Sequence, residues 1–99
     1  MDMEKSDRVV CFGEALIDML AQPPADDESP NAFLQFAGGA PANVSVAVAR
    51  LGGDSHFVGM LGEDMFGDFL LRSLQRAGVS TDGIVRTDQA RTALAFVAL

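Results

Sequence analysis

The residues with the most chemical potential lie in the stretch Phe36-Ala37-Gly38-Gly39-Ala40-Pro41-Ala42-Asn43 and at Asp18. Two adjacent glycines at a strand-to-helix turn let the backbone approach a ligand with no Cβ in the way. Their N–H groups, with a helix start behind them, suit an oxygen-rich or anionic group. Asn43, one turn into that helix, supplies an amide that both donates and accepts. The same residues also suit a plain tight turn with Asn43 as a local cap. Asp18 follows the first strand and its turn on an otherwise apolar segment. A carboxylate there can accept two hydroxyl hydrogen bonds, as proteins do to hold the vicinal diols of sugars or nucleosides, or it can be a solvated carboxylate on an edge strand.

The remaining reactive side chains read as structural. Glu14 follows a Gly turn and suits solvent, and His56 has no second His or acid at metal-ligand spacing, which leaves it a strand residue with a satisfied ring. Glu63-Asp64 suits a helix cap, Cys11 a small buried hydrophobe, and the five methionines core filler. Neither GxxxxGK[ST] nor a G-x-G-x-x-G opening a helix after a strand is present.

These residues need elements to position them. Residues 8–13 form a β-branched and aromatic run closed by Gly13, the pattern of a buried strand. Extended segments are expected at about 15–20 and 33–37, separated by a Pro-containing acidic loop over 21–31. From Pro41 to Leu51, proline at the start and Gly52-Gly53 at the end favour a helix, apolar almost all round and therefore buried. A strand at 55–60 follows. Phe66, Phe69, Leu70, Leu74 and Ala77 then line one face of a second helix, capped by Asp64 and ended by Gly78. A weaker strand at 83–86 and a strongly apolar one at 92–99 complete the chain.

Strands alternating with helices make an α/β fold with a mainly parallel sheet. Such a sheet is buried on both faces, yet only two helices are available, and the sequence stops inside its most strand-like run. The expectation is therefore the first part of a longer protein. Fourteen acidic against seven basic side chains give a net charge of −7, which disfavours nucleic acid and anionic membrane surfaces as partners. A single cysteine allows no disulfide within the chain, and the polar start MDMEKSD is neither a secretory signal nor a spanning segment. A soluble, cytoplasmic protein is expected.

Gly38 to Ser45, then six residues to Gly52 and nine more to Gly62, resemble the N-terminal signature of the ribokinase-like sugar kinases, the PfkB carbohydrate kinase family. The runs Phe12 to Asp18, Gly62 to Gly67 and Ala90 to Val97 look most like the plant-type fructokinases of that family. The resemblance spans Val9 to Leu99. It implies a ribokinase-like Rossmann-type α/β sandwich with a small β-sheet lid, of which residues 1–99 are the N-terminal portion. The lid strands would be those at about 15–20, 33–37 and 92–99.

The activity implied is transfer of a phosphoryl group from ATP, with Mg2+, to a sugar hydroxyl, fructose giving fructose 6-phosphate. By resemblance Asp18 binds sugar hydroxyls, Gly38 and Gly39 line the sugar through their backbone, Asn43 hydrogen-bonds it, and the lid mediates a homodimer. The family's Gly-Ala-Gly-Asp motif, which carries the catalytic base, is absent from these residues, as are the ATP site and the acidic metal motif. The 99 residues alone are thus expected to be inactive. Leu16 stands where ribokinases carry a sugar-contacting Asn, which argues against ribose. The alternatives are another sugar kinase of the family, such as a 2-keto-3-deoxygluconate kinase or ribokinase, and a non-catalytic, truncated kinase-like interaction module.

Overall fold

The computed structural model describes residues 7–98 and is built from two three-stranded sheets and two helices. In chain order the elements are β1 (Arg8–Phe12), β2 (Leu16–Gln22), β3 (Ala32–Gly38), α1 (Ala40–Arg50), β4 (Asp54–Gly62), α2 (Met65–Arg76), β5 (Ile84–Thr87) and β6 (Leu94–Val97). The first sheet has the order β1-β4-β5 and is parallel throughout. The second has the order β3-β2-β6, with β2 antiparallel to β3 and parallel to β6. A parallel sheet and a second, small sheet formed by the strands near 15–20, 33–37 and 92–99 are thus both present, as expected. The segment between β1 and α1 leaves the parallel sheet and folds back on itself as the β2–β3 hairpin.

Both helices follow from local chemistry. Pro41 lies in the first turn of α1, where its missing N–H removes no helical bond, and the basic Arg50 occupies the last turn. Asp64 caps α2 by accepting from the Gly67 backbone N–H at 2.7 Å. The core lies where the helices meet the first sheet and the near end of the second. Ile17, Phe57, Leu61, Leu70 and Leu74 are buried there, with Cys11, Met19, Val46 and Phe69 packed around them. A polar ladder crosses it: the Ser45 hydroxyl donates to the Ala42 carbonyl and the Ser55 hydroxyl to the Ser45 carbonyl, each at 2.6 Å. That ladder holds α1 to β4 without leaving a buried hydroxyl unpaired.

Several expectations are corrected. Alternation along β1 and β4 places Val10, Phe12 and Met60 on the sheet face that the helices do not cover, and all three are exposed. Met60 and Met65 are therefore surface residues and not core filler, while Cys11 is only half-buried. In α1 only Ala42 and Ser45 are fully buried and Val44 is exposed, because the helix meets the sheet along a single stripe. The last strand begins at Leu94 and not at 92, since the Thr92 N–H is bonded to Asp64 instead of to a neighbouring strand. Leu99, the end of the expected strand, lies outside the described residues. The radius of gyration, 15.6 Å, exceeds the roughly 13 Å of a closed domain of this length, so the second sheet projects from the first.

Candidate functional site

Asp18 sits on β2, the central strand of its sheet, and is half-buried. This removes the edge-strand alternative for it. Residues directly opposite in the ladder share a face, so the pairings Leu16 with Gly38, Asp18 with Phe36 and Leu20 with Leu34 put Asp18 on one side with these five residues. Ile17, which alternates to the other side, enters the core. The carboxylate is thus surrounded on its face by apolar side chains and one glycine.

That glycine makes room for it. A Cβ added at Gly38 would collide with Asp18 Oδ2 and lie 3.0 Å from its Cγ and 3.3 Å from Leu16 Cδ1. The Asp18 carboxylate therefore lies over the bare backbone of Gly38. Gly39 follows as the N-cap residue of α1 with φ +99°, and a Cβ there would come within 2.7 Å of the Glu14 carbonyl oxygen. Residues with a Cβ rarely adopt this conformation, so the backbone requires glycine at 39, whereas glycine at 38 makes room for the Asp18 carboxylate.

The Gly39 carbonyl accepts from the Asn43 N–H at 2.9 Å, closing the first turn of α1. The Asn43 side chain is exposed, and no side chain caps this helix, so Asn43 is not the local cap that its position also allowed. The structure brings Asp18, Gly38 and Gly39 into one contiguous patch, with Asn43 one helical turn away. The strand-to-helix turn carries backbone polar groups and the Asn43 amide in the first turn of α1, and the Asp18 carboxylate on β2 lies against Gly38; donors and acceptors of these kinds suit a polyhydroxylated ligand.

Of the residues set aside on sequence grounds, His56 behaves as expected, its Nε2 lying 2.8 Å from Asp54 Oδ1. Asp64 does more than expected. Besides capping α2 it accepts from both the backbone N–H and the hydroxyl of Thr92, each at 2.8 Å. Partial burial pushes its carboxyl up, but the hydrogen bonds from Thr92 and Gly67 outweigh this and hold it below its ordinary value of 3.8. Sequence reasoning missed Thr92 and Arg86, which donates to the Gly62 carbonyl from Nε at 3.1 Å and Nη2 at 2.8 Å. A hydroxyl opening the apolar run 92–99 was the available signal for Thr92. No group of three or more His, Cys, Asp or Glu able to hold a metal ion occurs among the described residues.

Residues 6–99 match the pfkB family of carbohydrate kinases. The chain belongs to this family. Among curated relatives it is 52% identical over 97 residues to fructokinase-1 of Oryza sativa, covering 96% of this chain and 30% of that protein. It is 53% identical over 93 residues to a fructokinase of Solanum tuberosum, covering 92% and 29%. Among solved structures, a fructokinase with bound ATP from Xylella fastidiosa is 70% identical, with a TM-score of 0.91 over 98% of this chain and 30% of that one. An uncharacterised sugar kinase from Pyrococcus horikoshii shares the fold at 38% identity and a TM-score of 0.83. The chain therefore spans about three tenths of the length of the relatives it matches. Its two-sheet α/β architecture is the N-terminal part of the pfkB kinase fold.

Proposed function

We propose that this pfkB-family chain is the sugar-binding front of an ATP-dependent kinase that phosphorylates D-fructose to fructose 6-phosphate. The observation that carries the reading is the Asp18 carboxylate lying over Gly38 beside the start of α1. A carboxylate on a central strand, lying over a glycine, can accept hydrogen bonds from two adjacent sugar hydroxyls. Each charge-assisted bond of this kind is worth about 1.5–3 kcal/mol. Gly38 gives the carboxylate its room and Gly39 turns the chain into α1 beside it, so that their backbone lines the sugar, and Asn43 contributes one further donor or acceptor. Leu16, beside the same glycine, offers no hydrogen bond, in keeping with a sugar other than ribose.

In this reading the β3-β2-β6 sheet is a lid hinged on the parallel sheet. Closing it over the sugar excludes water, so that ATP is not hydrolysed in place of transferring its phosphoryl group. The base that takes the hydroxyl proton and the groups that hold ATP and Mg2+ belong to the further length that the relatives possess. The exposed Phe33, Leu34 and Phe36 on β3, an edge strand of the lid, favour pairing with a second copy. The lone Cys11 suits a reducing, cytoplasmic setting.

The test is a coupled assay of ATP-dependent phosphorylation by the full-length protein over fructose, glucose, ribose and 2-keto-3-deoxygluconate. Fructose should be the preferred acceptor, and preference for another sugar overturns the assignment. Asp18→Ala should weaken sugar use severely and leave the KM for ATP nearly unchanged. Kinetics equal to the parent protein would remove Asp18 from the site.

A further inference from the structure

Between β5 and β6 the chain passes from the parallel sheet to the second sheet through residues 88–93. Asp88 to Arg91 are exposed, and the side-chain hydrogen bonds of this stretch are local, Gln89 N–H to the Thr87 hydroxyl and Gln89 Nε2 to Asp88. The crossing is pinned at one residue. Thr92 is buried, its N–H donates to Asp64 Oδ2 at 2.8 Å, its hydroxyl donates to Asp64 Oδ1 at 2.8 Å, and the same hydroxyl accepts from the Gly62 N–H at 3.0 Å. Asp64 Oδ1 also receives the Gly67 N–H, so both carboxylate oxygens are engaged. Arg86 anchors the floor of this cluster, bonding the Gly62 carbonyl and reaching Asp68 Oδ1 at 2.7 Å.

The pinned residue leads directly to the candidate sugar carboxylate. The carbonyl of Ala93, next after Thr92, accepts from the Ile17 N–H at 3.0 Å, and Ala95 pairs with Asp18 itself. Asp64 on the parallel sheet's side and Asp18 on the second sheet are therefore joined by one short, hydrogen-bonded path.

We propose that Asp64 is a positioning residue for the sugar site. By tethering Thr92 to the start of α2 it fixes where β6 enters the second sheet, and so where Asp18 stands relative to the parallel sheet. The proposal rests on the reading of Asp18 as the sugar-binding carboxylate. It separates from plain helix capping because serine caps a helix about as well as aspartate, while a single hydroxyl on a shorter side chain cannot serve Gly67 and both Thr92 donors.

The experiment is steady-state kinetics on the full-length protein carrying Asp64→Ser, Thr92→Val, Thr92→Ser or Asp18→Ala. A displaced binding group is costly to a site that depends on orientation, so Asp64→Ser and Thr92→Val should each raise the KM for sugar roughly tenfold and leave the KM for ATP within about twofold. Thr92→Ser, which keeps the hydroxyl, should restore the parent value. Unchanged sugar KM in Asp64→Ser and Thr92→Val, an equal rise for both substrates, or Thr92→Ser as damaging as Thr92→Val each overturns the proposal. Should Asp64→Ser fail to fold, the two Thr92 variants decide alone. If Asp18→Ala leaves sugar kinetics intact, the sugar-site reading falls and takes the tether with it. If Asp18→Ala is damaging and the tether variants are silent, only the tether falls.

Discussion

The carboxylate of Asp18 occupies the space that a side chain at Gly38 would fill. Strand pairing sets Leu16, not Asp18, directly opposite Gly38, so the Asp18 side chain leans diagonally across the hairpin to reach it. Such diagonal neighbours are within reach of each other on an antiparallel pair. The pairing of an acid with a glycine is therefore a steric arrangement that gives the carboxylate its room.

Gly38→Ala tests this directly. The methyl group would meet the end of a side chain that can rotate, so Asp18 gives way and the fold survives. Loss of one charge-assisted hydrogen bond, about 1.5–3 kcal/mol, should lower kcat/KM for the sugar by roughly 10- to 150-fold, with ATP kinetics unchanged. Steady-state kinetics with each substrate varied in turn measures it.

Gly39→Ala should behave differently. Its φ of +99° and the Glu14 carbonyl at 2.7 Å from the added Cβ confront the new methyl group with backbone, which cannot rotate aside. Destabilisation of about 1–3 kcal/mol is expected, read from the midpoint of denaturant unfolding of the full-length protein. An unshifted midpoint would show that the turn carries no such constraint.

Asn43→Ala separates binding from folding. Asn43 is exposed and caps nothing, and alanine favours helix, so stability should change by no more than about 0.5 kcal/mol. Losing a neutral hydrogen bond to the sugar, about 0.5–1.5 kcal/mol, should lower kcat/KM roughly 2- to 10-fold. A variant with parent kinetics would place Asn43 outside the site.

The Asp64 tether predicts an acid limb in stability. Its carboxyl is held below 3.8 in the folded chain, so the folded state binds this proton less readily than the unfolded state. The contribution is therefore complete above 3.8 and is lost as pH falls through the lower folded value. Asp64→Asn, which has no carboxylate to protonate, should flatten this part of the profile. Acid-unfolding curves of the two proteins compare them, and parallel curves would contradict the assignment.

What the sequence determined by itself was local. Pro41 with Gly52-Gly53 delimits α1, Asp64 with the apolar spacing from Phe66 to Ala77 delimits α2, and the run Gly38 to Asn43 marks the strand-to-helix turn of the candidate site. Each of these signals depends on backbone geometry and on neighbours a few residues away, which residue type and spacing encode directly. Only the tertiary structure decided that Asp18 lies on a central strand and not an edge, because its neighbour β6 comes from more than seventy residues downstream. The same holds for Thr92, drawn out of its strand by Asp64 across 28 residues, and for Met60, left exposed because both helices cover the opposite face of its sheet. Strand order and the choice of sheet face are set by pairing between distant segments, and no local pattern carries that information.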